Sequence, residues 1–69
     1  MNTITLTVNG EPREVAPATT LAEVVAALSK APTGVAAALN ETVVPRGAWP
    51  TTTLDAGDRV EILTAVQGG

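Results

Sequence analysis

The sequence closes on Gly68-Gly69, so the chemistry it offers is that of a terminal carboxylate. At neutral pH a carboxylate is a poor acyl donor, because its charge is delocalised and its oxygen leaves badly. It must be activated before a nucleophile can attack. Two glycines lack Cβ atoms, so such a tail can thread a narrow channel and present the Gly69 carboxylate to chemistry inside another protein. Glycine also has the greatest backbone freedom, so residues 67–69 are expected to form a flexible tail on a domain spanning 1–66. Gly69 has no stereocentre to epimerise during activation. It is therefore the expected reactive position, with Gly68, Gln67 and Val66 as candidates for recognition by the protein whose channel the tail would enter. The competing readings are a frayed terminus for the glycines and a plain strand end for Val66 and Gln67.

The remaining residues offer little chemistry of their own. The chain has 69 residues with neither Cys nor His, so it lacks a thiol nucleophile, an imidazole base and the commonest zinc ligands. No Gly-rich loop opens a helix, so a nucleotide would have to be bound by a partner. Asp55 and Asp58 stand near each other in sequence, but no base or nucleophile accompanies them, and Asp58 suits a turn better than a catalytic dyad. Neither catalytic residues nor a metal site is expected. The net charge of −3 argues against nucleic-acid binding and mildly favours a partner with a basic face. No signal peptide or membrane-spanning run is visible, and a cytoplasmic location is expected.

Something must hold the tail. Thr3 to Val8 alternates threonine with Ile4, Leu6 and Val8, which predicts a half-buried strand. Asn9-Gly10 is a strong hairpin signal, and Glu11 to Ala16 reads as the return strand, with Val15 inward. Pro12 puts that strand at a sheet edge. Thr20 and Glu23 form a capping box, and Leu21, Val24, Val25 and Leu28 make one helical stripe. The helix is expected from residue 20 to about residue 30, with Lys30 in its last turn and Pro32 and Gly34 ending it.

Val35 to Leu39 has strand length, although Ala36, Ala37 and Ala38 would also suit a helix. Asn40-Glu41 is a turn, Thr42 to Val44 a short strand, and Arg46 to Thr53 a loop without regular period, from whose end Leu54 plugs the core. The turn at Asp55 to Asp58 precedes a last strand from Arg59 to Val66, expected beside the first, parallel to it and near the sheet centre. Trp49, the only aromatic residue, is expected to be packed at the core's edge, with an exposed partner anchor as the alternative. Arg59 and Glu61 alternate with Val60 and Ile62, so they mark the sheet's outer face as a candidate partner surface. Arg46 is either a solvated loop charge or a further contact to a partner. A mixed four- or five-stranded sheet with one main helix on one face is an α+β, β-grasp (ubiquitin-like) arrangement, in competition with other small α+β folds.

Three stretches carry a family resemblance across essentially the whole chain. Asn40, Val44-Pro45-Arg46 and Trp49 stand at the spacing N-x-x-x-V-P-R-x-x-W. Leu54, Gly57-Asp58 and Val60-Glu61-Ile62 match L-x-x-G-D-x-V-E-I, and Ala65 to Gly69 matches the tail. The chain thereby resembles the ThiS family of thiamine-biosynthesis sulfur carriers, which are ubiquitin-like. It departs at Ala36-Ala37-Ala38, where the family often has bulkier residues.

The resemblance implies a carrier that is a substrate of enzymes and binds no cofactor itself. A separate E1-like adenylyltransferase would use ATP to adenylate Gly69, and a persulfide sulfur donor would convert it to a thiocarboxylate. Thiazole synthase would then receive the sulfur for the thiazole of thiamine. Two rivals share the Gly-Gly ending: the small, sulfur-carrying subunit of molybdopterin synthase, and a ubiquitin-like modifier that forms isopeptide bonds. A β-grasp interaction domain with an incidental tail is a third.

Overall fold

The computed structural model describes residues 2–29 and 34–64. Strands β1 (Ile4–Val8) and β2 (Glu11–Val15) form the expected hairpin. Its turn places Asn9 at φ 53° and Gly10 at φ 85°. Asparagine and glycine are the residues that adopt this left-handed region most readily. Helix α1 (Leu21–Leu28) follows, then β3 (Val35–Leu39), β4 (Thr42–Val44), a 3₁₀ helix (Arg46–Thr51) and β5 (Arg59–Thr64). The five strands form one sheet in the order β2-β1-β5-β3-β4. β5 is parallel to β1 and antiparallel to β3, and it occupies the centre, as its length and late position in the sequence predict. β2 is an edge strand, which suits Pro12 because proline has no N–H to donate.

The alternation of the strands divides the sheet into two faces. Leu6, Val8, Ala37, Val60 and Ile62 are buried on one face, together with Leu21, Val24 and Val25 of α1, Trp49 and Leu54. The capping box is present: Thr20 Oγ1 accepts from the Glu23 N–H at 3.2 Å, and Glu23 Oε1 accepts from the Thr20 N–H at 2.9 Å. The helix is shorter than expected. It stops at Leu28, where Ser29 still donates its N–H to the Val25 carbonyl at 2.8 Å while its ψ of 130° takes the chain out of the helix. Leu28 closes the apolar stripe but is 37% exposed, so little burial rewards a further turn. The expected place of Lys30 in the last turn, and that of Pro32, lie outside the described residues.

The stretch expected to be an irregular loop is a 3₁₀ helix from Arg46 to Thr51. The Ala48 N–H donates to the Pro45 carbonyl at 2.9 Å, and the Thr52 N–H to that of Trp49 at 3.2 Å. The hydroxyls of Thr51 and Thr52 donate to the Ala48 carbonyl. Only Trp49 is buried in this segment, so no apolar period announced it. Beyond it the chain straps the start of α1. The Leu21 N–H, one of those a helix cannot satisfy itself, donates to the Thr52 carbonyl at 2.8 Å. The Leu54 N–H donates to that of Thr19 at 2.9 Å.

The alanine run of β3 is a strand because β5 and β4 pair with it on its two sides, which outweighs alanine's helical preference. The last strand was expected to reach Val66; it is described to Thr64, and Val66 lies outside the described residues. No helix of the described residues is long and apolar enough to cross a membrane.

Leu21 is wholly buried where α1 meets the sheet and the strap. Leu21→Ala is expected to lower the unfolding free energy by about 3 kcal/mol, measured by urea denaturation. A loss below about 1 kcal/mol would mean that α1 is not the main cover of the sheet.

Candidate functional site

The tail residues singled out by sequence, Val66, Gln67, Gly68 and Gly69, lie outside the described residues. What the structure describes is the strand that leads to them and the surface around it. From Arg59 to Leu63 β5 alternates, with Val60 and Ile62 buried and Arg59, Glu61 and Leu63 exposed on the open face. The register sets Glu61 beside Ala38 and Leu63 beside Ala36 on β3, and Val43 of β4 beyond Ala38. Leu63 and Val43 are 69% and 72% exposed, with only alanine side chains between their strands. The open face therefore carries two exposed apolar side chains, with Glu61 in the same row as Val43 and Arg59 further back along β5. Neither Leu63 nor Val43 was singled out from sequence. The available signal was phase: Leu63 is apolar at a position where β5 points away from the core.

The three charged residues proposed as a partner surface are distributed over two elements. Arg59 and Glu61 share the open face of β5. Arg46 stands on the 3₁₀ helix, which packs against α1, and its guanidinium lies 5.4 Å from the centre of the Trp49 ring. Trp49 itself is buried, 5% exposed, and its indole N–H donates to the Val44 carbonyl at 2.8 Å. The packed reading of Trp49 is the one the structure adopts, with Arg46 stacked upon it.

The Asn40 side-chain amide and the Asp58 carboxylate hold the start of β5. Asn40 Oδ1 accepts from the Arg59 N–H at 2.9 Å, and the Asn40 N–H donates to the Arg59 carbonyl at 2.7 Å. Asn40 Nδ2 donates to Asp58 Oδ1 at 3.1 Å, while Asp58 Oδ2 accepts from the Asp55 N–H at 2.8 Å. Asp58 is thus a structural turn residue, tying the last turn to the β3–β4 turn. That second turn carries Asn40 at φ 51° and Glu41 at φ 72°. Glu41 also pairs with Arg59 at 3.4 Å, both side chains being largely exposed. Among the described residues, no group of three or more His, Cys, Asp or Glu gathers to hold a metal ion.

The ThiS family model matches residues 6–69 of the chain. A crystal structure of the thiamine biosynthesis protein ThiS from Geobacter metallireducens is 39% identical in sequence and superposes with a TM-score of 0.78, covering 96% of this chain and 100% of that one. A solution structure of a thiamine biosynthesis protein from the same organism gives the same identity and TM-score, over 96% of this chain and 88% of that one. No curated protein matches the sequence.

Glu41 is the one residue of the two hairpin turns that holds a positive φ without the chemistry that favours it. Glu41→Gly removes that strain and also an exposed ion pair worth under about 1 kcal/mol. The expected net result is a gain of about 0.5 kcal/mol in thermal or urea unfolding. A loss would mean that the Arg59 pair outweighs the backbone strain.

Proposed function

The chain belongs to the ThiS family, and we propose that it works as a sulfur carrier for thiazole formation in thiamine biosynthesis. Family membership over residues 6–69, a span that includes Gly68 and Gly69, is the observation that carries this reading. The likeness to a thiamine biosynthesis protein at 39% identity supports it. In this reading the Gly69 carboxylate oxygen attacks the α-phosphorus of ATP in a partner adenylyltransferase, and pyrophosphate leaves. Sulfur from a persulfide donor then attacks the acyl carbon and expels AMP. Reductive cleavage of the remaining S–S link by a thiol leaves the thiocarboxylate, which passes its sulfur to thiazole synthase. The chain is a substrate throughout. ATP is held by the partner, and the carrier's own contribution is a slim tail on a rigid domain.

The open face of the sheet is the proposed docking surface. Leu63 and Val43 supply exposed apolar area on the same face as Arg59 and Glu61, and Leu63 belongs to the strand that leads to the tail. Exposed apolar side chains with charges beside them suit a protein interface. Docking there would bring the partner's active site within reach of Gly69.

Intact mass spectrometry tests the chemistry. After incubation with ATP, the cognate adenylyltransferase and a sulfur source, the chain should gain the mass difference between sulfur and oxygen, and deleting Gly69 should abolish the gain. No gain with a demonstrably active partner overturns the carrier reading, and a ladder of conjugates on other proteins would favour the modifier instead. Gly68→Val should leave the unfolding midpoint unchanged but block adenylation by jamming the channel; a normal rate would sink the channel argument. Leu63→Asp, at an exposed position, should cost under about 1 kcal/mol of stability and yet raise the KM for adenylation about tenfold. An unchanged KM would remove the open face as the docking surface.

A further inference from the structure

β1 accompanies the central strand only briefly. The parallel pairing runs from Thr7 beside Arg59 to Val8 beside Val60, and then the chain turns back at Asn9-Gly10. Ile62 would lose its neighbour on that side. Asn9 replaces it. Its backbone N–H donates to the Val60 carbonyl at 2.8 Å. Its side chain then takes over: Asn9 Oδ1 accepts from the Ile62 N–H at 2.9 Å, and Asn9 Nδ2 donates to the Ile62 carbonyl at 3.2 Å. The carboxamide acts as one more peptide group of a strand that has already ended. Beyond it, that side of β5 borders an open groove lined by Asn9, Arg13, Ser29 and Thr64. Among the described residues Asn9 is thus the last group to hold β5 on its β1 side before the sequence runs on to Gly69.

We propose that Asn9 is a positioning residue for activation of the C-terminus: its side chain clamps Ile62 from the β1 side and so aims the end of β5 at the partner's active site. This rests on the sulfur-carrier reading. The Asn-Gly turn by itself does not require it, because a glycine at position 9 would adopt the same positive φ with less strain. What glycine cannot do is bond both polar groups of Ile62. A segment held ready spares its partner the entropy of ordering it, so the clamp acts on binding and not on the chemical step.

Asn9→Gly isolates the clamp, because it keeps the turn and deletes the carboxamide. Two measurements are made well below the variant's melting temperature. Hydrogen exchange of the Ile62 amide should accelerate at least about tenfold, the effect of losing a bond worth about one factor of ten. The KM for adenylation by the cognate enzyme, followed by pyrophosphate release, should rise roughly three- to tenfold with kcat unchanged. Asn9→Asp retains the acceptor for the Ile62 N–H and loses the donor, so its KM should fall between the two. Faster Ile62 exchange with wild-type KM would reduce Asn9 to a structural turn residue and overturn the proposal, as would a lowered kcat at unchanged KM. If the wild-type chain itself is never activated, the carrier reading has failed and the positioning role falls with it. A defect confined to the variants distinguishes the two cases.

Discussion

Everything in this fold is arranged around the backbone of β5. It is the last strand in the sequence and the middle strand of the sheet, so its N–H and C=O groups must find partners on both sides. β3 supplies one side from Val35 to Leu39. The other side is served by β1 over only two register positions, and the Asn9 side chain makes up the deficit there. Asn9 bonds both backbone groups of Ile62, and Asn40 accepts from the N–H of Arg59 at the strand's other end. Both asparagines also hold positive φ in two-residue turns. One residue type therefore meets two demands at each turn, because its backbone tolerates the left-handed region and its side chain imitates a peptide group.

That arrangement bears on how the molecule can act. The carboxylate proposed to carry sulfur follows in sequence from the central strand of the sheet, not from an edge. Its covered face is filled by Leu21, Val24, Val25, Trp49 and Leu54 packed on Leu6, Val8, Val60 and Ile62. With a single aromatic residue available, burying Trp49 beneath the Arg46 guanidinium leaves no aromatic for the surface. The exposed apolar area falls instead to aliphatic residues, Leu63 and Val43, on the face the helix leaves open. Among the described residues the sheet thus has one filled face and one open face.

Much of this was legible in the residues. The capping box at Thr20 and Glu23, the hairpin at Asn9-Gly10, the edge position implied by Pro12 and the burial of Leu54 all rest on local patterns. Such patterns persist because propensity and packing agree there. The Arg46 to Thr51 helix was not legible, since Trp49 alone of its six residues is buried and a single buried position sets no period. The end of α1 at Leu28, short of the expected end near residue 30, follows from packing: Leu28 closes the apolar stripe and is itself 37% exposed, so little burial rewards a further turn. Leu63 was overlooked because an apolar residue in the outward phase looks like a lapse in alternation until the face it occupies is seen to be uncovered.

The chemistry proposed for Gly69 rests on residue types. The absence of Cys, His and a nucleotide loop, beside the Gly68-Gly69 pair, directs attention to the Gly69 carboxylate without any knowledge of the fold. The strand identities and the helix start follow from spacings of two, three and four residues, which are local. Contacts between distant residues are not. That Asn9 bonds Ile62, that Asn40 bonds Asp58 and Arg59, and that Leu63 and Val43 face the same open side depend on which strands become neighbours. Pairing of strands far apart in sequence is decided by the burial of the whole core and the satisfaction of the central strand's backbone, and no local window of residues contains that information.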